Sequence, residues 1–489
     1  MISAISWVPK GVSKSEPIVA DPPPEEEIQE LIANHKNASS DDSDNDDAND
    51  EVVAQALTVA NAVGKASIGN TDDITIALKD LNMDNYDDEE EGVELFSSGI
   101  GDLYYPSNDM DPYLKDKNDD DSDDLEDMVI NPTDSIIVYA YNEDDVSHIE
   151  VCVLEDAHSN ERNMYSHHTI LIPAFPLCTA WLDCPLKGGE RGNFIAVGSM
   201  EPSIEIWDLD VIDAVQPCVV LGGLEEKKKK GKKKSIRYKK DSHTDSVLGL
   251  AWNKEYRNIL ASASADKNVK IWDVVTGKCE YTLDHHEDKV QAVAWNHHAP
   301  QVLLSGSFDH TVALRDARMP KHSGYSWEVS TDVESLAWDP HTEHSFVVSL
   351  DDGIVKGFDI RKAKSDGFDI RKAKSDSSQP DPSLTFTLHA HDKAVSSVSY
   401  NPSAPNLLAT GSMDKTVKLW DLSNNQPSFV ASNSPKAGAI FKISFSEDDP
   451  FLLAIGGSKG KLQLWDTLSD SGVARRYGSY NKNRSPSGS

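Results

Sequence analysis

The sequence has little cysteine and no long apolar run. Its five cysteines are at positions 152, 178, 184, 218 and 279, and no two of them have CxxC spacing. This odd, widely spaced set argues against a disulfide framework and against a zinc site, and it favours a reducing compartment. No apolar stretch reaches roughly 18 residues, and the N-terminal MISAISWVPKG lacks the apolar core of a secretory signal. We therefore expect an intracellular protein that has no membrane partner.

Sequence motifs for phosphate and metal binding are also missing. The stretch GGSKGK at 456–461 is one residue short of GxxxxGK and leads into a strand-like sequence rather than a helix. No set of His, Cys, Asp and Glu has metal-ligand spacing. We expect no cofactor, no metal and no small-molecule substrate, and hence a protein that is not an enzyme.

Negative charge is abundant, but it is confined to one part of the chain. The formal net charge is −35, and residues 16–132 contain 34 Asp or Glu residues against 5 Lys. The rest of the chain is close to neutral, as is usual for a folded domain. The acidity therefore belongs to one segment joined to a near-neutral globule.

A short apolar run that ends in an aromatic residue recurs along the chain, from the second residue onward. Its apolar residues alternate with small or polar ones, as a half-buried strand requires. The seven copies share one register, and the first five of them end in Trp: ISAISW (2–7), PLCTAW (176–181), VLGLAW (247–252), VQAVAW (290–295), VESLAW (333–338), VSSVSY (395–400) and IFKISF (440–445).

A second pattern follows six of these runs. It is a strand of small residues, a turn, and a strand that ends in Asp, as in ASASADKNVKIWD and ATGSMDKTVKLWD. The middle copies carry a second Asp, six positions before the residue that precedes the final Asp. Uninterrupted repeats are 43 to 45 residues apart. This is the periodicity of a repeat fold built from short hairpins.

The two patterns together resemble the WD40 repeat, in which each repeat forms a four-stranded propeller blade. The resemblance implies a hydrogen-bonded tetrad of His, Asp, Ser or Thr, and Trp in blades three and six. The predicted members are His243, Ser262, Asp266, Trp272, His391, Thr410, Asp414 and Trp420. A His, Ser and Asp group also suggests a hydrolase triad, but its recurrence beside a Trp favours a structural role.

Three blades depart from this pattern. Blade four has Arg315 in place of Trp, beside His286, Ser305 and Asp309. Blade five has Phe358 and no loop His, and blade seven has Lys459 in the Asp position. Either packing alone holds these blades together, or their altered positions face a partner.

The seven runs predict an all-β fold, a seven-bladed WD40 β-propeller with a long disordered acidic insertion. Only six closing patterns are clear, and SIIVYAYNEDDVSHIEVCVLED at 135–156 fits the missing strands of blade one. Blade one is then split around the insertion. The alternative is that residues 2–8 close the last blade, a position for which residues 472–478 also compete, because a ring needs its edges covered.

We divide the chain into four parts. They are a first strand within 1–16, an acidic, mostly disordered insertion at 17–133, the propeller at 134–480 and a disordered tail at 481–489. The insertion is too acidic to bury much apolar surface, although 50–64 and 72–84 have the pattern of short amphipathic helices. The propeller carries a basic loop at 225–241 and a duplicated loop at 367–376.

Aromatic residues interrupt the second half of the acidic insertion. This spacing favours a segment that binds a basic partner over an inert spacer. The residues are Tyr86, Phe96, Tyr104, Tyr105 and Tyr113. Ser43 and Ser122 lie within acidic runs, where we predict phosphorylation that would deepen the negative charge.

Positive charge is concentrated in KKKKGKKKSIRYKK at 227–240. Such a run is a solvated loop, a nuclear signal or a contact to RNA phosphates, and we favour the nuclear signal with RNA contact in addition. Ten of its residues are basic: Lys227, Lys228, Lys229, Lys230, Lys232, Lys233, Lys234, Arg237, Lys239 and Lys240.

A perfect ten-residue duplicate, GFDIRKAKSD, occupies 357–366 and 367–376. The first copy fits a strand end at Phe358-Asp359, whereas the second lacks the turn that a hairpin needs. We predict that the second copy is surface loop without function, because lengthening a flexible loop costs little.

The combination of these features is more specific than WD40 alone. The start MISAISWVPKG, the insertion with LFSSGIGDLYYPSNDMDPYL, the recurring tryptophans and the lysine-rich loop resemble the periodic tryptophan protein 1 family over nearly the whole chain. The resemblance implies a nuclear and nucleolar protein of ribosome biogenesis and rRNA processing, with ribosomal proteins, assembly factors or histones as partners and rRNA contact. The alternative it implies is a histone-tail reader that regulates transcription, including that of ribosomal DNA.

Overall fold

The computed structural model describes residues 1–20, 128–143, 146–155, 163–186, 188, 191–225, 237–319, 324–363 and 381–481. These residues form seven antiparallel sheets whose inner strands contact one another in a closed cycle. The predicted all-β, seven-bladed WD40 propeller is confirmed. No helix among the described residues is long and apolar enough to cross a membrane.

The strands are numbered in chain order. They are β1 (Ile2–Val8), β2 (Ile18–Val19), β3 (Ser135–Glu143), β4 (Val146–Leu154), β5 (Met164–Ile172), β6 (Pro176–Leu182), β7 (Phe194–Ser199), β8 (Ser203–Asp208), β9 (Val211–Ile212), β10 (Val219–Gly222), β11 (Val247–Trp252), β12 (Ile259–Ser264), β13 (Val269–Asp273), β14 (Lys278–Leu283), β15 (Val290–Trp295), β16 (Val302–Ser307), β17 (Thr311–Asp316), β18 (Tyr325–Glu328), β19 (Val333–Trp338), β20 (Ser345–Leu350), β21 (Ile354–Asp359), β22 (Leu384–His389), β23 (Ser397–Tyr400), β24 (Leu407–Gly411), β25 (Val417–Asp421), β26 (Ser428–Asn433), β27 (Ile440–Phe445), β28 (Leu452–Gly457) and β29 (Gln463–Asp466).

Each blade is one sheet. From the inner to the outer strand, blade one is β1, β3, β4 and β5, and blade two is β6, β7, β8 and β10. Blades three to six are β11–β14, β15–β18, β19–β22 and β23–β26, and blade seven is β27–β29. Helix α1 (Ser471–Tyr477) follows the last strand, and short 3-10 helices occupy Ile360–Lys362, Ser423–Asn425, Thr467–Ser469 and Gly478–Tyr480.

Three of the recurring tryptophans fasten their inner strands to the preceding blade, whereas Trp181 and Trp252 donate within their own blades. The indole N–H of Trp295 donates to the Ala251 carbonyl at 3.0 Å, and that of Trp338 donates to Ala294 at 3.2 Å. The same bond closes the ring, because the Trp7 indole donates to the Ser444 carbonyl of blade seven at 3.1 Å. The recurring aromatic position therefore supplies apolar burial throughout the ring and an inter-blade hydrogen bond at Trp7, Trp295 and Trp338.

Blade one is assembled from two distant parts of the chain. Strand β1 pairs antiparallel with β3, so that Trp7 lies opposite Ile137. On its other side β1 contacts blade two, where Ser6 Oγ and Thr179 Oγ1 are 2.8 Å apart. The N-terminal strand is thus the inner strand of blade one and not the closing strand of blade seven.

Residues 472–478 do not form an outer strand. They belong mainly to helix α1, whose N-terminus is capped by the Asp470 side chain accepting from Gly472 N at 2.7 Å. An Asp N-cap followed by residues without strand alternation explains why this segment is helical.

The acidic insertion leaves and re-enters the ring through residues that are hydrogen-bonded to it. Strand β2 pairs in parallel with β9 of blade two, and Ile18 N donates to Asp210 O at 2.8 Å. On the return, Ile130 N donates to Ser15 O at 2.9 Å. Residues 21–127 lie outside the described residues.

The two faces of the ring carry different connections. One face, here called the insertion face, carries the connections between the first and second strands of each blade. Side-chain amides link these connections between neighbouring blades, as in Asn253 Nδ2 to Pro300 O at 2.6 Å and Asn296 Nδ2 to Glu343 O at 2.9 Å. The opposite face, the tetrad face, carries the connections between blades, including 223–246. The acidic insertion and the basic loop therefore leave the ring from opposite faces.

Candidate functional site

The predicted residues of blade three form a continuous hydrogen-bond chain beneath the tetrad face. His243 Nδ1 lies 2.9 Å from Asp266 Oδ2, and His243 Nε2 lies 2.7 Å from Ser262 Oγ. The Trp272 indole N–H donates to Ser262 Oγ at 2.8 Å. An ionised carboxylate only accepts, so the His243 proton is on Nδ1, and Nε2 accepts the Ser262 hydroxyl proton.

Blade six repeats this geometry with a threonine in place of the serine. His391 lies 2.8 Å from both Asp414 Oδ2 and Thr410 Oγ1, and the Trp420 indole donates to Thr410 Oγ1 at 3.0 Å. Thr416 Oγ1 adds a 2.6 Å bond to the second oxygen of Asp414.

Burial sets the protonation states of these groups. Desolvation lowers the pKa of His243 and of His391, which keeps both rings neutral near pH 7. Burial alone would raise the pKa of Asp266, but its hydrogen bonds from His243 and from backbone N–H groups bring that pKa down to about 2. The carboxylate is therefore ionised and the imidazole neutral.

The tetrad geometry is unsuited to hydrolysis. His243 and Ser262 are both fully buried, and Ser262 Oγ already accepts from the indole and donates to the imidazole. No substrate atom can approach that oxygen without opening the blade. The group satisfies buried polar atoms and so stabilises the blade.

Blade four keeps the network by means of a different donor. His286 bonds Asp309 Oδ2 at 2.9 Å and Ser305 Oγ at 2.8 Å, as in the other two blades. In place of an indole, the ring of His285 donates from Nε2 to Ser305 Oγ at 2.9 Å. Burial, together with His286 and Arg315, lowers the pKa of His285 to about 2, so this ring is also neutral.

Arg315 occupies the tryptophan position of blade four without replacing the indole bond. Its Nη1 donates to the carbonyls of Leu314 and Tyr325, both at 3.1 Å. Burial lowers its pKa to about 10, so it remains a cation. Blade four is therefore not held by packing alone. The sequence signal for the substitute donor was the adjacent pair His285-His286.

Blade five has aromatic packing where blades three and six have the tetrad, and the Ser330 hydroxyl donates to the Asp352 carboxylate at 3.0 Å. The rings of Phe346 and Phe358 stack with centroids 5.2 Å apart, and Trp327 and Trp338 contact Phe346 at 5.1 and 5.5 Å. In blade seven, where Lys459 has the Asp position, Ser458 Oγ accepts from Ala439 N at 3.0 Å. Each departure from the repeat thus has a local structural replacement.

The two ends of the basic loop are joined on the tetrad face. Glu225 N donates to Arg237 O and Lys239 N donates to Gly223 O, both at 2.8 Å. Arg237, Lys239 and Lys240 are exposed. The seven lysines from Lys227 to Lys234 lie outside the described residues.

Several other predicted features lie beyond the part of the chain that the structure describes. They are Tyr86, Phe96, Tyr104, Tyr105, Tyr113, Ser43, Ser122 and the second copy of the duplicate at 367–376. Of the first copy, Gly357–Asp359 complete β21 and Ile360–Lys362 form a 3-10 helix.

A cavity of about 570 Å³ opens at the centre of the insertion face. Its walls include the aromatic residues that end five inner strands: Trp252, Trp295, Trp338, Tyr400 and Phe445. Lys254 of blade three and Glu447 of blade seven form an ion pair at this cavity. Such an exposed pair contributes little to stability.

The cavity is not an open aromatic cage. Trp295 and Trp338 are buried, and their indole N–H groups are bonded to the neighbouring blade. Trp252 and Tyr400 are half-buried and offer ring surface to a ligand. The sequence did not show whether these aromatic residues lie together in space, although each of them ends an inner strand.

Comparison with known proteins agrees with this architecture. The WD domain, G-beta repeat family matches residues 234–273, 277–316 and 382–421. The chain is 43% identical over 377 residues to an uncharacterized WD repeat-containing protein of Schizosaccharomyces pombe, covering 75% of this chain and 69% of that one. It is 31% identical over 496 residues to Periodic tryptophan protein 1 of Saccharomyces cerevisiae, covering 90% and 82%. It is 29% identical over 436 residues to the Periodic tryptophan protein 1 homolog of Drosophila melanogaster, covering 88% and 85%.

Proposed function

The chain belongs to the periodic tryptophan protein 1 family of WD40 propellers, and from that premise we propose that it is a non-catalytic scaffold of ribosome biogenesis in the nucleolus. In this role it serves rRNA processing and assembly of the large subunit. One observation supports the proposal most: the described residues that flank the acidic insertion and those that flank the basic loop lie at opposite faces of the ring. A scaffold with this charge distribution can hold a basic protein on one side and a phosphate backbone on the other.

The basic loop is the proposed nuclear signal and RNA contact. Arg237, Lys239 and Lys240 are exposed at its base. Lysine side chains bind phosphates in a way that depends on salt but not on sequence, because binding releases counterions. Such contacts suit a large folded precursor RNA that presents many phosphates.

The acidic insertion is the proposed site for basic proteins. Ribosomal proteins and histones both carry basic segments, and the aromatic residues within the acidic runs add apolar contacts to the charge attraction. Charge alone does not distinguish these two classes of partner, so the experiment must.

We expect the protein to sediment with precursors of the large ribosomal subunit when nuclear extract is fractionated on a gradient. RNase treatment should shift it to the top of the gradient, because the precursor particles depend on RNA. A matched variant replaces the seven lysines between 227 and 234 with glutamine. Both the wild type and this variant carry an added nuclear signal, so that nuclear import is equal. The variant should dissociate from the particles at a lower salt concentration than the wild type.

The alternative function is a chromatin protein whose propeller binds a histone tail. The aromatic cavity of the insertion face favours it, because half-buried Trp252 and Tyr400 offer ring surface to a cationic side chain. Protein that stays with chromatin and does not respond to RNase would contradict the ribosomal proposal and support this one.

A further inference from the structure

Blade seven is one strand short. The other six blades each have four strands, whereas blade seven ends with β29. Among the described residues, no strand pairs with the outer side of β29. This is the incomplete edge of a ring whose other blades are complete.

The register identifies which main-chain groups face the empty position. Thr467 N donates to Phe451 O at 2.9 Å, and the same register makes Trp465 the next residue to bond with β28. Leu464 and Asp466 therefore direct their N–H and C=O groups outward. In blade six the equivalent residue, Leu419, pairs with Ala431 of the fourth strand.

Local side chains satisfy part of this edge, but not Leu464. Ser469 Oγ donates to the Asp466 carbonyl at 2.6 Å, and Gln463 Nε2 donates to the Leu462 carbonyl at 3.1 Å. The N–H and C=O of Leu464 have no such partner among the described residues. They form one complete donor and acceptor pair at the centre of the edge.

Helix α1 does not fill the position. Its buried residues Val473 and Tyr477 pack in the apolar cluster between blades six and seven, and Arg476 pairs with Asp421 of blade six at 3.6 Å. The helix thus packs on the blade-six side of β29, and no described residue of the helix bonds to the Leu464 main chain.

The opposing wall of blade one supplies carboxylate and apolar groups. Tyr139, Glu150 and Thr169 lie opposite one another on three successive strands, so they share one face of the blade. Tyr139 packs in the cluster that includes Leu462 and Leu464, which shows that this face looks toward blade seven. Glu150 on this wall is 20% exposed and lies 3.8 Å from His148 Nε2, and Leu171 on the same face is 66% exposed.

We propose that an extended segment of a partner protein adds to β29 as the fourth strand of blade seven. It runs antiparallel to β29 and bonds the Leu464 main chain. It places an apolar residue opposite Leu464 and a lysine or arginine opposite Asp466, where the carboxylates of Asp466 and Glu150 provide complementary charge. This inference goes beyond the proposed function and does not depend on it, since it names a binding edge that requires no RNA.

The test is the binding of a fluorescein-labelled hexapeptide, TKTVTV, to the full chain, measured by fluorescence anisotropy. Leu464→Pro removes the outward N–H without breaking the ladder to β28, because proline is tolerated where the N–H faces away from the sheet. Leu464→Val keeps both the main chain and an apolar side chain, and is the matched control. We expect Leu464→Pro to weaken binding at least about tenfold and Leu464→Val less than about threefold.

A second comparison leaves the protein unchanged. The same peptide with N-methyl groups on all of its amides has no N–H to donate on either edge, and it should lose binding to the same extent. This comparison applies even if Leu464→Pro lowers the melting temperature.

Several results would overturn the proposal. They are equal binding by wild type and Leu464→Pro, no peptide binding at all, or binding only to a chain that ends at Asn481, which would assign the edge to the last eight residues of this chain. A dimer that is detected by sedimentation equilibrium and abolished by Leu464→Pro would assign the edge to a second copy, and would equally overturn the proposal.

Discussion

Lowering the pH from 6.5 to 4.5 is expected to remove about 2–3 kcal/mol of folding stability from the propeller. Glu334 offsets part of a larger loss, because burial and the neighbouring Asp351 and Asp332 raise its pKa to about 7, so its folded form takes up a proton in this range. The cause of the loss is a set of histidines that are buried in the neutral form. Burial, with a contribution from His167, lowers the pKa of His168 to about 4, and burial with His286 and Arg315 lowers the pKa of His285 to about 2. Each of the two rings then costs about 1.4 kcal/mol of stability for every pH unit below its unfolded pKa of about 6.5.

The sign of this effect follows from the direction of the shifts. A histidine whose folded pKa is depressed binds its proton more readily in the unfolded chain. Its contribution to stability is therefore complete above about pH 6.5 and is lost as the pH falls. His243 and His391 act in the same direction, and Asp266, with a folded pKa of about 2, adds a further loss below about pH 4.

Urea unfolding followed by circular dichroism at pH 7, 6 and 5 measures this dependence. The variant His285→Phe keeps an aromatic ring but removes one titrating group. Its free energy of unfolding should therefore fall by about 1.4 kcal/mol less than that of the wild type between pH 6 and pH 5. At pH 7 the same variant should be about 1–2 kcal/mol less stable, because Ser305 loses its donor. Equal stability at pH 7 and pH 5 would contradict the assignment of neutral buried rings.

Replacing His243 with alanine is the substitution for which we expect the largest loss, about 3–5 kcal/mol. The change removes the two bonds that join Asp266 to Ser262. It leaves a largely buried carboxylate without its imidazole partner and opens a cavity at a fully buried position. Such a loss approaches the whole stability of a typical domain.

The equivalent change in blade six, His391→Ala, should cost a similar amount because the geometry is the same. The control is His344→Ala on the insertion face, where the histidine pairs with Glu343 near the surface and the loss should stay below about 0.5 kcal/mol. Denaturant unfolding at pH 7 compares the three variants. A loss below about 1 kcal/mol for both tetrad variants would show that the blades do not depend on these networks.

The repeat made most of the fold predictable. Seven apolar runs with one aromatic position define seven inner strands, because a half-buried strand places an apolar residue at every second position. The spacing of Asp266 from Trp272, and of Asp414 from Trp420, indicated which polar residues meet. Both spacings lie within one hairpin, and such short spacings can be recognised from a single sequence.

The features that escaped prediction depend on contacts between distant parts of the chain. The adjacent pair His285-His286 is visible in the sequence, but it does not show that His285 takes the place of the missing indole, because that depends on which ring nitrogen reaches Ser305. The indole bond from Trp7 to Ser444 joins residues near opposite ends of the sequence. Residues 472–478, one candidate for the outer strand of blade seven, lie mainly in a helix, and the edge at Leu464 is visible only because no fourth strand pairs with β29 among the described residues.

The most direct test of the central claim is to deplete the protein from cells and follow newly made rRNA by pulse labelling. The scaffold proposal predicts that precursors of the large-subunit rRNAs accumulate while small-subunit rRNA matures at its normal rate. Re-expression of the wild-type chain should restore large-subunit maturation. Normal maturation of both classes after depletion would contradict the proposed role in ribosome biogenesis.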